Sequence, residues 1–352
     1  MIYTEDEQNL IILSAITEIN YSERYTALSA LMSATPDFTA CKNLLIKRAG
    51  IGVYNKVRDS FYDPAFRNKV FAELDRRGVE CVTYVSEDYP ELLKHISTPP
   101  IVLFLKGKKQ LLKSRCFSIV GSRRTTPNTL LQCKRFAKEL SEHFTIVSGS
   151  AQGADSAALD GAEGKAISVI AFGLDHFELS NAPLQAVAKQ GLFVSEYFPT
   201  VAPQNFLYHA RNRIIAGLSA GALVVSAGEK SGALITANYA ADFGREVFAF
   251  PYNLGVSSGA GCNNLIKQGA NLCQNPLDIL NAFGLDLKSS FVVTLSEDEK
   301  KAYAQIKEQG EIFAPALSQS LGVPSYKLIP ILSSLEIKGL ICRLGGNRYS
   351  II

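Results

Sequence analysis

Residues 116–143 read CFSIVGSRRTTPNTLLQCKRFAKELSEH. Cys116–Val120 is an apolar run of strand length. Gly121-Ser122-Arg123 interrupts it, and Thr125, Thr126 and Pro127 open an amphipathic stretch over Thr129–His143. Proline suits the first turn of a helix, where its missing N–H has no partner to lose. Strand, glycine turn and helix together make half of a βαβ unit, and the pattern recurs on both sides. Further apolar runs lie at Ile101–Leu105, Thr145–Val147, Ala166–Phe172, Leu192–Val194, Ala222–Val225 and Glu246–Ala249, with helical stretches such as Ala233–Phe243 between them. Strands alternating with helices imply a mainly parallel sheet. Residues 96–288 are therefore expected to form an extended Rossmann-like α/β domain of about six or seven strands.

The flanks differ. Residues 1–95 read as short helices, a helix-hairpin-like or SAM-like bundle. Apolar positions recur at helical spacing through Leu10, Ile11, Ile16 and Ile19, and again over Phe38–Ala49 and Asn68–Arg77, with Gly50 and Gly52 as punctuation. This part reads as a dimerisation or spacer domain. Residues 289–352 form a third unit. Ser296 precedes Glu297, Asp298 and Glu299, carboxylates that suit a first helical turn. A helix over Ala314–Leu321, the turn Gly322-Val323-Pro324, a helix from Ser325 to Lys338 and a hairpin around Gly345-Gly346-Asn347 follow. That order predicts a winged helix.

The chain has 352 residues, 47% apolar and 20% charged, an ordinary globular balance. No apolar run reaches membrane-spanning length, and the N-terminus MIYTEDEQNL is acidic where a signal peptide is basic. A cytoplasmic protein without a membrane partner is expected. The seven cysteines are odd in number and lack a C-x-x-C pair, and the four histidines lack metal-ligand spacing, so reduced thiols and no metal are expected. Net charge is only +3, and residues 109–290 hold it (16 Lys+Arg against 13 Asp+Glu). Nucleic-acid binding must then come from local placement of charge.

Four loops provide such placement. Ligands of doubly wound sheets bind beyond the carboxyl ends of the strands, where glycines admit the backbone and helix N-termini offer free N–H groups. The first loop holds Gly121, Ser122, Arg123 and Arg124. The second, Ser148–Asp155, holds Gly149, Ser150 and Gly153; read as a plain tight turn it has Asp155 as a helix cap. The third is Arg211-Asn212-Arg213 ahead of an apolar helix. Arginines at i and i+2 do not share a helix face, so one is expected to pair internally while the other meets ligand. The fourth is Lys230–Thr236, with Ser231, Gly232 and Thr236. Each loop taken alone is also consistent with an ordinary structural turn. There is no G-x-x-x-x-G-K-[ST] and no spacing that suggests a nucleophile–base pair, so no enzyme activity and no cofactor are expected. Glu196 is the best single acid, and it reads more readily as a strand-end carboxylate pairing an arginine.

In combination and order these segments resemble the DNA-processing protein A family, DprA or Smf. The matching text is SIVGSRRTTPN, IVSGSAQGADSAAL, FGLDHFELSN, GLFVSEYFP, RNRIIAGLSAGALVV, SGALITANYAADFGREVFAFP and GCNNLIKQGA, within residues 88–280. The resemblance implies a protein that binds and protects single-stranded DNA, dimerises through the Rossmann-like domain and loads the recombinase RecA in transformation or recombination. It places Gly121, Ser122, Arg123, Arg211, Asn212 and Arg213 in the DNA pocket, with Gly149, Gly153, Asn181, Ser231, Gly232 and Thr236 around it. Tyr208, Phe177 and His209 are candidates to stack on bases. Three positions depart from the family pattern. Its G-L-A-x-G-I-D-x-x-A-H histidine is Leu159 here, its Tyr-Pro-basic segment is Phe177-Glu178-Leu179, and the Phe-Pro before Arg-Asn-Arg is Tyr208-His209. The departures motivate an alternative: a regulatory or antitoxin subunit of a defence system, binding a nucleotide or a toxin-like partner in the same pocket. In the winged helix, Lys327, Lys338 and Tyr326 are sparse for groove reading and favour protein contact, while Arg343, Asn347 and Arg348 are placed to touch a DNA backbone.

Overall fold

The computed structural model describes residues 3–16, 19, 21–33, 42–285 and 295–351, with the backbone alone for residues 21, 24, 30–33, 44 and 48. Thr4 opens helix α1 (Glu5–Ala15): its hydroxyl accepts from the Glu7 amide at 3.3 Å, and the Glu7 carboxylate accepts from the Thr4 amide at 2.8 Å. Leu10–Leu13 are all buried, so α1 is enclosed on every side and not amphipathic. Helices α2 (Tyr21–Ser33), α3 (Lys42–Ala49), α4 (Ile51–Tyr62) and α5 (Pro64–Arg77) surround it. Gly50 caps α4 at φ 89°, whereas Gly52 lies inside its first turn instead of between helices. The first residues of the expected Phe38–Ala49 helix fall outside the described residues.

Two units are present, residues 1–283 and residues 284–352. The first contains a nine-stranded sheet. Its strands are β1 (Glu80–Thr83), β2 (Val102–Gly107), β3 (Cys116–Gly121), β4 (Thr145–Ser148), β5 (Ala166–Val169), β6 (Leu192–Ser195), β7 (Gly221–Ser226), β8 (Glu246–Ala249) and β9 (Asn271–Leu272). The spatial order is β1-β2-β6-β5-β4-β3-β7-β8-β9. All pairs are parallel except β1–β2 and β2–β6. All seven predicted strands are present. β1 lies within the stretch read as helical, and β9 has only two residues, both exposed. The N-terminal helices share one core with the sheet: Leu10, Val57, Phe61 and Leu74 pack in the same cluster as Val102, Phe104 and Phe198. The boundary expected at residues 288–289 lies outside the described residues.

Between strands run α6 (Glu91–Lys94), α7 (Pro127–Leu140), α8 (Ala154–Gly161), α9 (Ala182–Gln190), α10 (Asn205–Leu218), α11 (Gly232–Asp242), α12 (Ala260–Lys267) and α13 (Pro276–Ala282). From β3 the chain winds outward through β4 and β5 to β6. Helix α10 then carries it back to β7, on the other side of β3. The order reverses there, which opens a crevice beyond the carboxyl ends of β3 and β7.

The second unit runs α14 (Glu297–Gln309), β10 (Glu311–Phe313), α15 (Ala314–Leu321), α16 (Ser325–Ile337), β11 (Ile341–Leu344) and β12 (Arg348–Ile351), with sheet order β10-β12-β11. This is the element order of a winged helix, with one strand, β10, that was not expected. Glu299 ties the unit together. Its carboxylate accepts from the Ser296 amide at 2.7 Å, Ser334 Oγ at 2.6 Å and Lys338 Nζ at 2.6 Å. The bonds from Lys338, Ser334 and Ser296 hold its pKa down to about 2. A carboxyl depressed in the folded state contributes stability that is present above the ordinary carboxylate range and lost as pH falls toward the folded value. Melting of this unit should therefore drop between about pH 5 and pH 2, and Glu299→Gln should flatten that dependence when followed by circular dichroism.

Candidate functional site

Strand β3 ends on Gly121, where an added Cβ would stand 2.7 Å from the Ala154 methyl and 2.9 Å from Val225 Cγ2. Only glycine lets the turn lie so close to α8 and β7. The Ser122 amide donates to the Ser226 carbonyl at 2.8 Å, and its carbonyl accepts from the Ala154 amide at 3.2 Å. The Ser122 hydroxyl accepts from the Arg124 amide at 3.1 Å. The loop is thus pinned on both sides while Arg123 and Arg124 stay exposed. Thr126 caps α7 by accepting from the Thr129 amide at 3.2 Å.

The second loop supplies packing from below. An added Cβ at Gly149 would lie 2.3 Å from Asp155 Oδ2 and 2.6 Å from an Arg211 nitrogen, so glycine there makes room for both charged groups. Gly153, at φ 83°, passes 2.6 Å (Cβ position) from the Ser122 and Arg123 carbonyls. Helix α10 brings Arg211 up from the opposite side, 6% exposed. Arg211 donates through one terminal nitrogen to the Val169 carbonyl, while its buried Nε has no partner. Burial lowers the Arg211 pKa and raises that of Asp155, and the attraction between the two charges opposes each shift. Asn212 donates to the Gly232 carbonyl at 3.3 Å, and Ser231 caps α11 by accepting from the Ala233 amide at 3.3 Å. The N-terminus of α11 therefore opens on the same crevice.

The result is a cavity of about 410 Å³ lined by Gly121, Ser122, Arg123, Arg124, Tyr208, Arg211, Asn212, Ser231, Gly232 and Thr236, among others. Arg123 lies over the Tyr208 ring, 5.9 Å from its centroid. Three guanidinium groups line the cavity against one carboxylate, Asp155. A site of this charge and size, with an unfilled buried donor, suits a phosphate. A second chamber of about 350 Å³ adjoins it. The two share Arg123, Tyr208 and Arg211, and the second adds Ser150, Phe172, Phe177 and Glu178.

Several expected site residues lie elsewhere. Arg213 does not line either cavity. It makes a two-bond ion pair with Glu196, at 2.9 and 2.6 Å, and donates to Thr98 Oγ1 at 3.2 Å. Both side chains are nearly inaccessible, 6% and 4% exposed. The helical twist that separates i from i+2 sends Arg211 and Arg213 to different environments, as anticipated, and makes Glu196 a structural partner. Asn181 lines neither cavity either. It caps α9, accepting from the Leu184 amide at 3.0 Å and donating to Ser156 at 3.3 Å. Leu159, in place of the family histidine, is fully buried in α8 and removes nothing from the cavity. In the winged-helix-like unit, Lys338 is engaged by Glu299, Arg348 by Glu311, and Arg343 bonds Asn347. Sequence reading took Asp155 for a helix cap and missed it as the buried counter-charge of Arg211. A carboxylate one residue into the helix after a glycine loop was its only local sign. Among the described residues no cluster of three His, Cys, Asp or Glu side chains is placed to hold a metal, and the six described cysteines are free and buried. No described helix is long and apolar enough to cross a membrane.

Residues 80–284 match the family model described as DNA recombination-mediator protein A. The DNA processing protein DprA of Bacillus subtilis strain 168 is 41% identical over 218 residues, covering 60% of this chain and 73% of that protein. Protein Smf of Escherichia coli K12 is 34% identical over 282 residues, covering 74% and 75%. Among solved structures, the DprA of Streptococcus pneumoniae aligns with a TM-score of 0.67 at 30% identity, over 80% of this chain and 98% of that one. The DNA processing protein A of Helicobacter pylori, described for its single-stranded DNA binding mode, aligns with a TM-score of 0.53 at 28% identity, over 58% and 95%. With a family model matching more than half of the chain and relatives of this identity and coverage, the chain belongs to the DNA recombination-mediator protein A family, the DprA/Smf proteins of DNA processing.

Proposed function

We propose that the crevice between β3 and β7 binds single-stranded DNA by its phosphates. The observation that carries this reading is the convergence of Arg123, Arg211 and the α11 N-terminus on one cavity, with a buried Arg211 donor left unfilled. Tyr208, half-buried beneath Arg123, offers a face for a base. The DNA-binding mode described for the Helicobacter pylori relative supports the reading. The wider role, protecting single strands and loading RecA without turnover of its own, rests on the family resemblance. So does a homodimer through the Rossmann-like domain, to which β9 at the end of the sheet order, with exposed Leu272, and the exposed Leu277 of α13 add support.

Binding of a labelled oligo-dT strand across a salt series tests the site. Affinity should fall linearly in log–log form, and Arg123→Ala should weaken binding about tenfold and reduce the slope by about 0.7, one phosphate contact. Arg123 is exposed, so this variant keeps its fold. Salt-independent binding, or an unchanged slope in the variant, would overturn the proposal. Displacement of DNA by a free mononucleotide at micromolar concentration would instead favour the nucleotide-binding alternative.

A further inference from the structure

We infer that Glu178 makes the chamber beside the phosphate cavity a guanine subsite; this rests on the single-stranded DNA reading. Because Arg123, Tyr208 and Arg211 line both cavities, a nucleotide whose phosphate meets the two arginines has its base directed into the adjoining chamber. The chamber walls are aromatic. Phe172 and Tyr208 meet edge to face at 6.1 Å, and Phe177 packs against Phe193 at 5.0 Å. Such walls stack a base whatever its identity.

Glu178 adds the discrimination. It lines this chamber, is exposed, and its carboxylate makes no hydrogen bond or ion pair among the described residues although two arginines line the same space. An ionised carboxylate only accepts hydrogen bonds, and it presents two oxygens side by side. Guanine alone offers two adjacent donors on its pairing edge, N1–H and the N2 amine. Adenine and cytosine place one amine beside an acceptor, and thymine flanks its single N–H with two carbonyls. A second phosphate is repelled from the chamber by the same charge. The family's Tyr-Pro-basic segment is Phe177-Glu178-Leu179 here, so a cation that would attract phosphate is lost at Leu179 and an anion is gained at Glu178, which changes what the chamber takes.

The test is competition between dT12 and a dT12 strand carrying one central dG, read by fluorescence anisotropy on the full chain. The dG strand should bind about tenfold tighter, in the range of one bidentate base contact. Deoxyinosine at the same place, lacking the N2 amine, should fall between the two. Glu178→Gln should erase the dG preference while still binding dT12. Equal affinity for dT12 and the dG strand overturns the guanine subsite and leaves the DNA reading standing. A dG preference that survives in Glu178→Gln assigns it to another residue. Binding of neither strand overturns the DNA reading and the subsite with it.

Discussion

Arg213→Ala should destabilise residues 1–283 by about 3–5 kcal/mol, because it takes from the buried Glu196 carboxylate the guanidinium that bonds it twice. For a unit of this size that corresponds to a melting temperature lower by roughly 10 °C. Glu196→Ala should cost a similar amount by removing the carboxylate that bonds the buried Arg213 guanidinium twice. The double variant Glu196→Leu/Arg213→Leu should recover most of the loss, since the desolvation cost of both ions disappears together. DNA binding by the protein that remains folded should be unchanged in all three. This pattern separates a structural ion pair from a ligand contact. Arg213→Ala that melts normally yet binds DNA poorly would return Arg213 to the site, where its place in the Arg-Asn-Arg motif first put it. Scanning calorimetry and an oligo-dT titration on the same samples decide the matter.

Arg211→Ala is expected to have the largest effect on binding. Arg211 is held by the Val169 carbonyl with its Nε free, so a phosphate meets a donor already dehydrated and oriented. Losing a charged partner in such a setting costs about 2–5 kcal/mol, between about thirtyfold and a few thousandfold in affinity. Stability changes as well, with a defined pH dependence. Burial raises the Asp155 pKa, and Arg211 is the main influence lowering it. Removing Arg211 leaves a carboxyl whose folded pKa lies still further above its unfolded value. Such a group binds its proton more tightly in the folded state, so stability falls as pH rises from the ordinary carboxylate range toward the folded pKa. The variant should then melt closest to wild type near pH 4 and furthest below it at pH 8. Arg211→Ala/Asp155→Asn should remove the pH dependence and restore much of the stability without restoring binding. Recovery of binding in the double variant would show that Asp155, and not the loss of Arg211, had closed the site.

The sheet was legible because its strands are short apolar runs bounded by glycine turns and separated by amphipathic helices, a local pattern. Seven strands follow from it. β1 escaped because Glu80–Thr83 directly follows a helix and pairs with β2, a partner distant in sequence. β9 escaped because two exposed residues carry no pattern. The first, second and fourth crevice loops were legible for the same local reason: a glycine near a strand end and a hydroxyl or proline before a helix mark a turn open to an anion.

The sequence alone thus determined the α/β class, the positions of three of the four loops and the chemistry each segment offers, while the expected third loop, Arg211-Asn212-Arg213, lies inside α10. Those properties depend on neighbours within a few residues, where backbone sterics and helix capping act. The tertiary structure alone decided which of the charged residues meet. Arg211 and Arg213 are two positions apart and chemically identical, yet α10 turns one toward the crevice and the other toward Glu196. Asp155 looked like a cap until Gly149 and α10 placed Arg211 beside it. Charge pairing acts through space, and only the packing of α10 against the sheet fixes those distances.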